Sequence, residues 1–239
     1  MAGTVMHRSH TPLRKWFWAI FLASHDKRGI AAQRLADEIG VSYPTAWLML
    51  QKIRKAMGDR DARYQLAGIV EVDDTYFGGP KSGGKRGRGT EKTKVIVAVS
   101  LNDQGNPEYT KMAVSDDVTS RSLVTFAEKN ITACSTISSD AYRSYLKAFS
   151  DGTYTHEPQK FDAKGDTDHL RWLHTVVSNA KAFILGTYHG LDATHFQAYL
   201  DEFCFRMNRR FFAPQLFDRL LCACSSTTTI TYKNLVETS

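Results

Sequence analysis

The sequence predicts an α/β protein, a mixed β-sheet flanked by helices and preceded by a small all-α unit. Three observations carry this. Residues 12–58 show helical periodicity and helix-boundary residues throughout. Residues 68–157 alternate β-rich runs with an amphipathic helix, and residues 168–212 return to helix. With 239 residues and 42% hydrophobic composition, the chain can bury one medium core and one small one.

In the first region, PLRKWFWAIFLAS begins a helix at Pro12, a residue suited to a first turn. A second helix runs from Ile30 to Ile39 and stops at Gly40, which tolerates the left-handed conformation that ends helices. Ser42 is placed to cap a third, YPTAWLMLQKIRKAM, with Pro44 in its first turn. Helix, short Gly-containing turn, helix is equally the pattern of a DNA-binding helix-turn-helix and of an ordinary three-helix packing unit. On the first reading, Ser42, Tyr43 and Thr45 face a groove, while Lys52, Arg54 and Lys55 meet phosphates.

In the second region, GIVEVDDTYFGG at 68–79 is a strand ended by two glycines. The loop at 80–94 holds Lys81, Lys85, Arg86, Arg88, Lys92 and Lys94 against Glu91, a composition suited to phosphate contact or to a solvated loop. Strands follow at 94–101 and 108–115, then a helix capped by Thr119 or Ser120 and running to Asn130. STISSD at 135–140 is a fourth strand, AYRSYLKAF a helix, GTYTH at 152–156 a fifth strand, and two long helices close the region. Three strands in hairpin succession, then helix, strand, helix, strand and helices, is the element order of an RNase H-like mixed sheet. The expected domains are a helix-turn-helix unit at 12–58, a catalytic domain at 68–221 and a weakly structured Ser/Thr-rich tail at 222–239.

Composition narrows the function classes. A net charge of +6 points to a polyanionic partner. A membrane span needs about eighteen or more consecutive apolar residues, and the longest apolar run, WFWAIFLA at 16–23, is far shorter. No small-residue cleavage site follows it, so no secretory signal is expected. Cys134, Cys204, Cys222 and Cys224 form no paired C-x-x-C knuckles, which predicts a cytoplasmic chain without structural zinc.

The chemistry concentrates in two aspartates. Asp73 sits inside an apolar strand, where a carboxylate is costly unless paired or bound to a cation. Asp140 falls at the end of the fourth strand, and can also cap the helix after it. Neighbouring first and fourth strands would bring the two carboxylates together as hard ligands for Mg²⁺ or Mn²⁺. On the later helix, at about 100° per residue, positions 178 and 181 fall within about 40° of His174. His174, Ser178 and Lys181 therefore form a polar stripe beside the apolar Leu173, Val177, Ala180 and Ile184.

VEVDDTYFGG, SSDAYRSY, KAFILGTYHG and YLDEFCFRMNRRFF resemble, in order and spacing, the DDE transposases of bacterial insertion sequences, specifically the ISXO-type branch that pairs a helix-turn-helix with an RNase H-like domain. The resemblance runs from about Thr4 to Leu221. It implies that Asp73 and Asp140 are the first two catalytic metal ligands. It puts the third at His174, seven residues before Lys181 and thirty-four after Asp140, where the commonest triad has Glu. His174 is then a ligand, or a group that orients or deprotonates the nucleophile. Lys181 becomes a phosphate contact near the scissile bond. Arg206, Arg209 and Arg210 suit either DNA or the electrostatics of a helix C-terminus.

The resemblance also implies a two-metal site using Mg²⁺ or Mn²⁺ and double-stranded DNA as partner, both the element's terminal inverted repeats and target DNA. A homo-oligomeric synaptic complex, action at the nucleoid and no membrane partner go with it. Members of the branch commonly carry a zinc ribbon ahead of the helix-turn-helix, and MAGTVMHRSHTPL resembles the segment just after one. Two other readings remain open: an RNase H-like nuclease or resolvase that only hydrolyses, and a catalytically decayed DNA-binding protein.

Overall fold

The computed structural model describes residues 1–78, 92–159, 169–188 and 191–236. They form two compact units, one of residues 1–63 with 182–239 and one of residues 64–181.

The first unit is helical. α1 (Leu13–His25), α2 (Ala32–Ile39) and α3 (Tyr43–Asp61) are joined by α7 (Phe196–Met207), α8 (Leu216–Ser226) and the short α9 (Tyr232–Val236). Trp16, Ile20, Leu35, Leu50, Ile53 and Met57 share one core with Phe205, Leu220 and Cys224. Each such apolar side chain contributes about 1.5–3 kcal/mol by leaving water. This shared core is why the division differs from that expected at 68–221. The helices after residue 182 bury their apolar faces against α1 and α3, and Cys224 gives the supposed tail a buried anchor.

Gly40 ends α2 with φ 63°, and its N–H bonds to the Ala36 carbonyl. Ser42 occupies the position before α3 but does not cap it through its side chain; its hydroxyl pairs with that of Thr45 at 2.9 Å.

A polar network lies inside this apolar unit. Arg54 Nε donates to Glu202 Oε2 at 2.8 Å, and its guanidinium lies 4.0 Å from the Tyr199 ring centre and 5.1 Å from that of Tyr188. The Tyr188 hydroxyl and Arg206 also donate to Glu202. Burial alone would lift the Glu202 carboxyl, but Arg54 and Arg206 hold it below its ordinary value. Arg209 pairs with Asp61 at 2.7 Å. Arg206 and Arg209 thus take the structural alternative.

The second unit carries the sheet. Among the described residues, β1 (Ile69–Phe77), β2 (Thr93–Leu101), β3 (Pro107–Ser115), β4 (Thr136–Asp140) and β5 (Thr155–Gln159) form one five-stranded sheet in the order β3-β2-β1-β4-β5. β1–β2 and β2–β3 are antiparallel, β1–β4 and β4–β5 parallel. This is the mixed RNase H-like arrangement.

α4 (Ser120–Asn130) and α5 (Arg143–Ala148) cover one face. There Val70, Val72, Ile96 and Ile137 pack with Leu123, Phe126, Tyr145 and Phe149. Thr119 caps α4, as expected. α6 (Arg171–Thr187) runs along the other face, with Leu173, Val177 and Ala180 buried.

The fifth strand lies three residues later than expected. Tyr154 turns into the core against Phe149, and pairing with β4 begins at Thr155. Pro158 within β5 is tolerated because, among the described residues, β5 pairs only with β4.

Candidate active site

β1 supplies the first elements of the site. Successive side chains of a strand point to opposite faces. Val70, Val72 and Asp74 therefore face the α4–α5 layer, and Glu71, Asp73 and Phe77 face α6. The parallel ladder between β1 and β4 runs from Ile69 opposite Thr136 to Val72 opposite Ser139. One step further along both strands stand Asp73 and Asp140, neighbours on the same face. This register sets the two aspartates at matching positions of adjacent strands.

Tyr145 of α5 is 0% exposed, and its hydroxyl reaches the same place from the other layer. It donates to Asp74 Oδ1 at 3.1 Å and lies 3.5 Å from Asp73 Oδ1. Burial first, then the charges of Asp74, Asp73 and Asp140, push this phenol far above its ordinary range, so it remains a protonated donor. Asp140 Oδ1 also accepts the Tyr142 N–H at 3.2 Å. That bond closes a turn ahead of α5, whose capping position is Tyr142 without a side-chain cap, so the helix-capping alternative for Asp140 is not taken.

Glu71 fixes α6 against the same strand. Its Oε2 accepts the Leu173 N–H at 2.7 Å, a charge-assisted bond to the helix's first turn. Further along, the Lys181 ammonium lies 5.7 Å from the Phe77 ring centre. α6 therefore runs alongside β1 from the level of Glu71 to that of Phe77, with His174 near one end and Lys181 near the other. Asp73 lies between those levels on the strand.

His174 is exposed but sits beside like charges. Partial burial, then His169 and Lys181, lower its imidazole below the ordinary value, keeping it neutral at neutral pH. Burial and then Lys92 lower Lys181.

Two carboxylates on adjacent strands are hard oxygen donors of the kind Mg²⁺ and Mn²⁺ take. Among the described residues, no three His, Cys, Asp or Glu side chains are grouped to hold a metal ion. His174 is exposed on α6, with His169 and Lys181 among its neighbours.

A model of the ISXO2-like transposase domain matches residues 65–208. The chain belongs to the ISXO2-like transposase family. A relative in the transposable element ISH50 of Halobacterium salinarum, described as an uncharacterized protein, is 26% identical over 222 residues, covering 85% of this transposase and 72% of the relative.

Among solved structures, the catalytic core domain of BIV integrase aligns with a TM-score of 0.41 and 13% identity, covering 60% of this chain and 85% of that one. The Mos1 mariner paired-end complex with Mn aligns with a TM-score of 0.35 and 14% identity, covering 83% and 74%.

The remaining residues singled out in the sequence of this transposase are placed unevenly. Ser42 and Tyr43 are exposed at the start of α3, Tyr43 by 51%, and Thr45 is half-buried. Arg54 is not at the surface. At 2% exposure and bonded to Glu202, it is unavailable to a phosphate, because α3 is packed on several sides by the helices of its unit rather than on one. Lys52 is 7% exposed, with its ammonium 5.9 Å from the Trp16 ring centre, and Lys55 pairs with Asp59. Lys85, Arg86 and Arg88 lie outside the described residues. No helix among the described residues is long and apolar enough to cross a membrane.

Sequence reasoning set Glu71 aside as a flanking residue and gave Tyr145, the last residue of SSDAYRSY, no role. The signal for Glu71 was a second acid in an apolar strand, at the spacing that shares a face with Asp73. Nothing in the sequence marked Tyr145 beyond its proximity to Asp140.

Proposed function

We propose that this transposase cleaves DNA strands at the ends of its element and joins them to target DNA, using a divalent cation held by Asp73 and Asp140. The observation that supports this most is the parallel ladder that makes those aspartates same-face neighbours, in a chain of this family. Mg²⁺ or Mn²⁺ bound there would polarise the phosphoryl group and stabilise charge on the attacking and leaving oxygens.

The chain's own residues do the rest. Lys181 binds a phosphate oxygen beside the scissile bond and fixes the DNA along α6. His174, neutral at neutral pH, accepts through an imidazole nitrogen the proton of the attacking water or 3′-hydroxyl. Ser42, Tyr43 and Thr45 meet bases or backbone of the terminal repeats, and the basic segment with Lys85, Arg86 and Arg88 contacts phosphates. Joining two element ends requires at least two copies in a synaptic complex.

The test is an end-labelled DNA assay with Mg²⁺ or Mn²⁺. Cleavage and strand-transfer products are expected from the unmodified chain, and neither from Asp73→Asn nor Asp140→Asn, with folding retained by circular dichroism. Cleavage without joining would establish the hydrolytic nuclease instead. DNA binding with no cleavage, indifferent to Asp73→Asn, would establish a DNA-binding protein.

A further inference from the structure

Two adjacent aspartates, Asp73 and Asp74, compete for the role at the centre of β1, and strand geometry sends them to opposite faces of the sheet. Asp74 points to the layer that holds Tyr145, and Asp73 to the face it shares with Asp140. A hydroxyl has one proton and serves one carboxylate at a time. Of the two contacts, the 3.1 Å bond to Asp74 lies near the ordinary range, and the 3.5 Å contact with Asp73 lies beyond it. Both acceptors are within reach of the hydroxyl, and Asp74 is the nearer. The tyrosine ring is fully buried with Leu123, Phe126 and Phe149 among its core neighbours, its centroid 6.4 Å from that of Phe149.

We propose that Tyr145 is a positioning residue whose hydroxyl holds Asp74 on the α4–α5 side of the sheet, and so determines that Asp73 with Asp140, and not Asp74, serves the divalent cation. This rests on the carboxylate-pair reading given above. Three carboxylates gathered at neighbouring strand positions repel one another. A cation offered to them would draw in whichever can turn toward it. Tying one of them to a rigid donor leaves a single defined pair, whereas a phenylalanine in place of Tyr145 lets Asp74 turn toward the cation as well.

The test measures Mn²⁺ affinity of the full chain without DNA, by calorimetry or by the Mn²⁺ electron paramagnetic resonance signal. The variants are Tyr145→Phe, Asp74→Asn, the two together, and Asp73→Asn. Neighbouring groups that act together show non-additive effects. In the unmodified chain, Asp74→Asn is expected to change affinity by less than about threefold, because the amide oxygen still accepts the hydroxyl. Combined with Tyr145→Phe, the same change is expected to weaken binding by at least about tenfold. An equal effect of Asp74→Asn with and without Tyr145→Phe overturns the inference while leaving the carboxylate pair intact. Retention of Mn²⁺ binding by Asp73→Asn, or no binding by the unmodified chain, overturns the pair reading and this inference with it. Should Tyr145→Phe not fold, Asp74→Ala carries the test. The hydroxyl then loses its nearer acceptor, turns to Asp73, and weakens Mn²⁺ binding by at least about threefold; unchanged affinity overturns the proposal.

Discussion

Glu71→Ala removes a bond that ties α6 to the strand carrying Asp73. The acceptor is a buried carboxylate, the donor is the Leu173 N–H, and they are 2.7 Å apart. A hydrogen bond to a charged group contributes about 1.5–3 kcal/mol, and an orphaned buried donor costs about the same. Against this, the carboxylate itself is held in a poor environment. Burial raises the Glu71 carboxyl above its ordinary value of 4.5, with the Leu173 N–H pulling it part of the way back. The net loss expected is about 2 kcal/mol. At a urea m-value of about 2 kcal/mol/M, that lowers the unfolding midpoint by about 1 M. Glu71→Gln keeps an acceptor in place and is expected to lose less than about 1 kcal/mol.

The pH dependence separates the variants further. With the folded carboxyl raised, the folded chain binds more protons than the unfolded chain in the window above 4.5. Stability from this group therefore falls as pH rises through the window and levels off above the folded value. Glu71→Gln removes that slope. Urea unfolding followed by circular dichroism across this range provides both readings. Equal stability of Glu71→Ala and the unmodified chain, or a Glu71→Gln variant as weak as Glu71→Ala, would refute the clamp.

Arg54→Met strips Glu202 of one buried partner, leaving Arg206. A loss of about 3 kcal/mol is expected in denaturant unfolding, since removing one partner leaves a buried charge under-compensated. Arg54 helps depress the Glu202 carboxyl, so its stabilisation is present above the unfolded value and lost as pH falls through the folded one. In the variant that loss begins at a higher pH, and an unshifted acid transition would count against the network. Lys181→Ala is expected to weaken DNA binding equally for all sequences and to reduce the slope of log affinity against log salt by about 1, read by fluorescence anisotropy. An unchanged slope removes Lys181 from the phosphate contacts.

Most of the fold was legible because local signals agreed with tertiary structure. The apolar runs at 69–77, 93–101 and 107–115, Gly40 after α2, and Thr119 before α4 state their roles within a few residues. The adjacency of the strands that carry Asp73 and Asp140 was legible too, since the element order implies it. What escaped depended on contacts between distant segments. Arg54 reads as an exposed cation until α7 delivers Glu202 from 148 residues away. The boundary of the compact units was hidden for the same reason, because the core that joins α8 to α1 leaves no local mark. The bonds of Tyr145 to Asp74 and of Glu71 to the Leu173 N–H were not foreseen because no periodicity marks which core tyrosine or strand glutamate makes them. The family register suggested His174 as a ligand, and helix periodicity put it on a stripe with Lys181. Neither signal contains the distance from that stripe to the sheet.

The pairing of β1 with β4 makes the relation of Asp73 to Asp140 a matter of register as well as of chemistry. Two rulers laid side by side keep their marks matched only while neither slides. Sliding β4 by a single step against β1 would turn Asp140 to the far side of the sheet and take Ile137 out of the core. Any change that forces such a slip would separate the two aspartates while leaving both in the sequence. An intact set of motifs is therefore a weaker sign of a working copy than an intact register between β1 and β4.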